Sequence, residues 1–216
     1  MSTRIFLSTC LTLILTVAAH GMAITVGDPS FEGNTLGAGQ WTNNIGTEWT
    51  GTGGSDNGNA FEEYIPGFAA DGTDHLGMAQ DYNVWQDLGA TYQANTRYTL
   101  TIAAGNRSGT TQAGNLTQYA LADSSGAVYA TGNWDAYANV AGGTFADAPA
   151  LVFDTPNNTA CLGKTIRVLL QARGAGRSHF DNIRLDATSL VPPGGATVVN
   201  GEATAVTSST ATLNGV

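Results

Sequence analysis

The stretch "GNWDAYAN", residues 132–139, puts two aromatic rings among small polar residues. Sugars present CH faces that stack on such rings, while amide and carboxylate side chains read the hydroxyls. Trp134 and Tyr137 are therefore candidate ligand-binding residues in a polar loop, where burial is least automatic. Trp85 is the next candidate, because in "NVWQD" it alternates with Val84 and should face away from it. The chain also holds Trp41, Trp49 and seven tyrosines. For any one ring the competing role is core packing, since tryptophan is highly buried on average.

A carboxylate raises a second question. In "SHFDNIRLDA", residues 178–187, strict alternation places Asp181 on the same face as Ile183 and Leu185. A core-facing carboxylate must be paired, bound to a cation, or protonated. Phe180 has the opposite parity, so a bulge is expected at Asp181-Asn182, moving the acid to the rim of the sheet. Otherwise Asp181 caps a turn or pairs with Arg177 or Arg184.

Signs of catalysis are poor. His75 and His179 stand isolated, without the H-x-x-x-H or H-E-x-x-H spacing of a metal helix. There is no G-x-S-x-G elbow. Glu62 and Glu63 of "FEEY" are adjacent, so a strand points them to opposite faces and they cannot act as a glycosidase pair. No enzymatic activity and no catalytic residue is expected.

These residues need a scaffold, and the composition points to an all-β one. The 28 glycines lie among many Thr, Asn, Ala and Ser, and apolar runs are short and divided by turn residues. "TRYTLTIAAGN" (96–106) alternates Tyr98, Leu100 and Ile102 with small or hydroxylic residues, as a half-buried antiparallel strand does. Residues 74–91 read as two short strands around a turn, 115–133 as a hairpin turning at Asp123–Gly126, 149–156 as a short strand between prolines, and 164–174 as another strand. About nine strands without a clear helix predict an antiparallel jelly-roll β-sandwich.

The ends differ from this body. Arg4 precedes the apolar run "IFLSTCLTLILTVAA", which ends in "HGMA" with Gly21 and Ala23 at small-residue positions. That pattern predicts a signal peptide over 1–23 and a secreted or cell-surface product, with no membrane span once it is removed. Cys10 would leave with it, and Cys161 would remain as a lone thiol, most simply a buried small residue. The net charge of −9 becomes one unit more negative without Arg4. So acidic a chain repels nucleic acid. After the domain over 24–187, "TSLVPPGG" (188–195) is a linker.

Three motifs carry a resemblance: "GDPSFEG" at the start, "VWQDLGATYQANTRYTLTIAAGNR" (84–107) in the middle and "HFDNIRLDA" (179–187) at the end. In this order the chain is similar to secreted bacterial domains of the galactose-binding-like jelly-roll superfamily, which includes many carbohydrate-binding modules. The resemblance spans residues 24–187. It implies a non-catalytic module for an extracellular polysaccharide or other glycan; the rival readings are a structural or adhesive spacer of a surface protein and, third, an extracellular hydrolase with its active site in the loops. It also implies a structural calcium ion tying the first strand to the last, with Glu32 and Asp181 as the matching oxygen donors. "ATVVNGEATAVTSSTATLNGV" (196–216) resembles the opening of a fibronectin type III-like domain, implying further domains in a longer parent chain.

Overall fold

A computed structural model of the chain describes residues 21–52, 60–107, 115–174 and 176–191. Residues 21–190 form one compact unit of thirteen strands, all paired antiparallel. The expected jelly-roll β-sandwich is what is found. Residues 1–20 of the signal peptide expected over 1–23, and the residues beyond 191, which include half of the expected linker (188–195) and the stretch 196–216 expected to open a fibronectin-like domain, lie outside the described residues. The strand that opens the fold, β1 (Met22–Ile24), begins before the expected boundary at residue 23. The closing strand, β13 (Ser178–Ser189), runs two residues past 187.

One sheet has the order β10 (Thr144–Asp147), β7 (Thr96–Asn106), β13, β5 (Asp74–Met78), β4 (Ala60–Tyr64) and β2 (Trp41–Thr42). Two further strands complete it to eight: β1 also pairs with β13, and β11 (Leu151–Asp154) also pairs with β7. The second sheet has the order β3 (Thr50–Thr52), β6 (Asn83–Thr91), β12 (Thr165–Gly174), β8 (Asn115–Asp123) and β9 (Val128–Trp134). A single helical turn, α1 (Ala136–Asn139), follows β9, capped by the Asp135 carboxylate on the Ala138 N–H.

The inner faces follow from alternation. Tyr98, Leu100 and Ile102 of β7 meet Ile166, Val168 and Leu170 of β12 and Tyr119 and Leu121 of β8, all buried in one cluster. Phe180, Ile183 and Leu185 join them from β13. The spacing from 180 to 183 breaks strict alternation, and a register shift falls there, between Asp181 and Arg184. Asn182 sits at φ +48°, taking up the extra residue. At this bulge β13 changes partner: β5 pairs with residues 178–180 and β1 with 185–187.

Candidate functional site

The outer face of the eight-stranded sheet is the most chemically concentrated region of the molecule. Its cross-strand pairs form two rows. The first runs Phe61 (β4), Gly77 (β5), His179 (β13), Gly105 (β7) and Phe145 (β10). The second runs Trp41 (β2), Glu63 (β4) and His75 (β5). The two glycines make room for rings. A Cβ at Gly77 would collide with the Phe61 ring, and one at Gly105 would lie 2.6 Å from Phe145 Cζ. Both phenylalanines thus lie over bare backbone on either side of His179. Phe68, from the β4–β5 loop, closes the face with its ring centroid 4.9 Å from His75, 5.5 Å from His179 and 4.6 Å from Phe145.

Under these rings Glu63, His75 and His179 bring their donor atoms within 4.8 Å of one another, and all three residues are buried. Both nitrogens of each imidazole, and Glu63 Oε2, make no hydrogen bond. His75 Nε2 stands 3.8 Å from Glu63 Oε2, beyond hydrogen-bond reach. The other carboxylate oxygen, Oε1, accepts from Arg107 Nη2 at 2.9 Å. Burial holds both imidazoles neutral. His75 is lowered to about 3 by desolvation and then by the Arg107 charge, with the nearby Phe68 carbonyl acting weakly the other way. His179 is driven well below its ordinary value by burial, then by His75 and the two arginines, 107 and 177. Burial raises Glu63, against the pull of Arg107 and Arg177. Such a set can ligate a metal through two imidazoles and a carboxylate, or offer a carboxyl proton inside an apolar wall.

Toward the β2 edge the face opens. Trp41 is 60 % exposed and meets the edge of Phe61 at 6.3 Å between centroids. Arg177 lies over the Phe61 ring, its Cζ 5.1 Å from the centroid.

The HpiC1-like family, described as HpiC1 cyclase, matches residues 22–186. The chain belongs to this family. Among curated proteins none matches it. Of the solved structures, TmCBM61 bound to β-1,4-galactotriose is 12 % identical, covers 75 % of this chain and 97 % of its own, and has a TM-score of 0.45. The CBM22-1 xylan-binding domain of Paenibacillus barcinonensis Xyn10C is 13 % identical, covers 81 % of this chain and all of its own, at a TM-score of 0.48. The CBM22-1–GH10 modules of the Clostridium thermocellum xylanase 10B are 10 % identical at a TM-score of 0.45. There 85 % of this chain matches, and it spans 30 % of the longer xylanase chain.

The three aromatic residues picked from the sequence do not share one surface of this HpiC1-like domain. Trp85 lies opposite the core on the five-stranded sheet, with Arg167 Cζ 5.2 Å from its ring centroid. Trp134 is not in a loop but ends β9. It pairs with buried Thr117 and packs inward on Ala104, Ala136 and Val140. Tyr137, on α1, is 48 % exposed. The "GNWDAYAN" stretch therefore spends its tryptophan on packing.

Glu32 and Asp181 do converge on one element, the loop 70–74. Asp181 Oδ2 accepts from the backbone N–H of Ala70 at 2.6 Å and of Asp71 at 3.0 Å, and Oδ1 accepts from its neighbour Asn182 at 2.6 Å. Glu32 Oε1 accepts from the N–H of Thr73 at 2.7 Å and of Asp74 at 2.8 Å. Arg184 pairs with Asp147 rather than with Asp181. Burial pushes Asp181 up to about 7 despite its three N–H donors. Glu62, on the inward face of β4, is also raised to about 7, first by burial, then against its Asn34 hydrogen bonds by the charges of Asp74 and Asp28. Asp28 Oδ2 is itself buried without a partner. Glu62 and Glu63 point to opposite faces, as alternation requires.

The Glu63–His75–His179 cluster was missed because its residues are 12 and 104 positions apart in sequence. Each histidine precedes a core residue, Leu76 or Phe180, and that alternation assigns both to the outer face. Only the adjacency of β5 and β13 brings them together.

Proposed function

We propose that this chain is a secreted or cell-surface binding module without catalysis of its own, and that it takes a carbohydrate on the outer face of the eight-stranded sheet. The observation that carries the reading is Trp41. It is a tryptophan with most of its surface in solvent, on a two-residue edge strand, braced by Phe61 and beside Glu63 and the arginines 107 and 177. A braced, exposed ring next to hydrogen-bonding charges is what stacking on a sugar and reading its hydroxyls require. This moves the proposed contact from Trp134, Tyr137 and Trp85 to Trp41. Xylan and β-1,4-galactan are the first probes, by calorimetry and by retarded migration in polysaccharide gels. Trp41→Ala should weaken binding by about 1–3 kcal/mol, the usual loss for an anchoring ring. Binding unchanged in a folded Trp41→Ala protein refutes the placement; no binding across a broad glycan panel favours the spacer reading.

A structural calcium ion belongs to the same proposal. Its support is that Glu32 and Asp181 both grip the segment 70–74, Glu32 through the N–H groups of Thr73 and Asp74 and Asp181 through those of Ala70 and Asp71. When bound, the ion would supply charge neutralisation for buried carboxylates, and these residues would hold it.

One observation favours a second reading, a cyclase-type activity in keeping with the family's description. Glu63, buried beneath Phe68 with a raised pKa and two neutral imidazoles beside it, could donate a proton in an apolar pocket. Turnover of an alkene-bearing substrate, abolished by Glu63→Gln with Trp41→Ala active, would decide for it.

A further inference from the structure

We propose that Glu63, His75 and His179 form a binding site for a divalent first-row transition-metal ion, with zinc the natural occupant. The inference goes beyond the carbohydrate reading and does not depend on it. Two imidazoles and a carboxylate are a ligand set that zinc takes, whereas calcium and magnesium require oxygens. Three donors no more than 4.8 Å apart leave a point within ~2.8 Å of each. Zinc bonds to nitrogen and oxygen are ~2.0–2.2 Å, so each donor needs to move by well under ~1 Å.

The second support is what these side chains lack. The imidazoles are fully buried, yet neither ring satisfies a nitrogen, and Glu63 Oε2 is also unsatisfied. Leaving a buried polar atom without a partner is costly, and a cluster of five is hard to keep for packing alone. A metal takes one lone pair from each residue. The remaining support is the setting. Arg107 holds Glu63 Oε1 at 2.9 Å and leaves Oε2 to the ion. The Arg107 charge repels a dication, which sets the affinity below that of a closed cysteine site.

The test uses the untagged full chain, stripped of metal, titrated with Zn²⁺ by calorimetry and with Co²⁺ by visible absorption. One ion should bind per chain, with a cobalt ligand-field band, and millimolar Ca²⁺ should not displace it. Glu63→Gln and His179→Gln should each weaken binding by more than the ~10–100-fold that losing an outer-sphere partner costs. Absence of a saturable cobalt band, or equal binding by both variants, overturns the site. Should either variant fail to fold, X-ray absorption of the zinc-loaded native chain decides. Two imidazoles and a carboxylate oxygen at ~2.0–2.1 Å support the site, and fewer than two imidazoles overturn it.

Discussion

Asp181→Asn tests the bulge of β13 directly. In the fold the Asp181 carboxyl is raised from its ordinary 3.8 to about 7, chiefly by burial. Below pH ~4 both folded and unfolded chains carry the proton, and the group contributes no pH dependence. Between ~4 and ~7 the folded chain keeps the proton and the unfolded chain has lost it. The native state then binds more protons, so raising the pH destabilises it, by ~1.4 kcal/mol per unit. The full shift amounts to ~4 kcal/mol, all of it expressed above pH ~7. Asparagine does not titrate. Its single carbonyl oxygen can still accept from Ala70 and Asp71, but its amide would face the Asn182 N–H, a loss of ~1–3 kcal/mol. The variant should therefore be the weaker protein at pH 4 and the stronger one at pH 8.5, the two stability curves crossing between. Urea denaturation in chelator at pH 4, 5.5, 7 and 8.5 measures this. A wild-type-minus-variant difference that stays constant within ~0.5 kcal/mol across that range means Asp181 is ionised in the fold throughout, and the reasoning fails.

Calcium competes with that proton, so added calcium should raise the melting temperature more at pH 8 than at pH 5, and Asp181→Asn should remove the difference; a melt indifferent to calcium and to its chelator at both pH values removes the ion from the proposal. Gly77→Ala should cost ~1–3 kcal/mol by forcing the Phe61 ring off the sheet, read by thermal melts, with Gly89→Ala in β6, where no atom crowds the Cβ and φ is not positive, as the comparison. A chain of residues 21–191 should melt within ~0.5 kcal/mol of the full chain, whereas ending at 187 removes Thr188 and Ser189 from their pairing with Arg97 and Thr96 and should cost measurably more. N-terminal sequencing of exported protein should find the leader gone; a start at Met1 or Ser2 would contradict secretion.

The strands that alternate were legible. The segment 96–106 is β7 to the residue, and the hairpin around Asp123–Gly126 is β8 and β9. In each, one face packs on the core, so period 2 survives in the sequence. The segment β10 was not, because "TFAD" is an edge strand of four residues with no buried face to impose a pattern. The bulge at Asp181 was readable because parity fails between Phe180 and Ile183, a purely local contradiction. The histidine pair was not, since adjacency of β5 and β13 is a property of topology, with 104 residues between its two members. Trp134 was expected in a loop and instead ends β9 for a related reason: the polar residues around it mark a strand end, where the ring packs on Ala104, Ala136 and Val140.

The last strand among the described residues is the middle of the larger sheet. β13 lies between β7 on one side and β5 and β1 on the other, so the sheet has no centre until residues 178–189 are available. Contacts separated by 74 to 165 positions must close at the end, which places folding among the slow, non-local topologies, on the order of milliseconds to seconds. The first strand finds its partner only in the final twelve residues of the domain, so synthesis must be complete before folding is. The domain therefore stays unlocked until its own last twelve residues have been made. Under the secretion proposed above, that delay would keep the polypeptide threadable until the whole domain had been made.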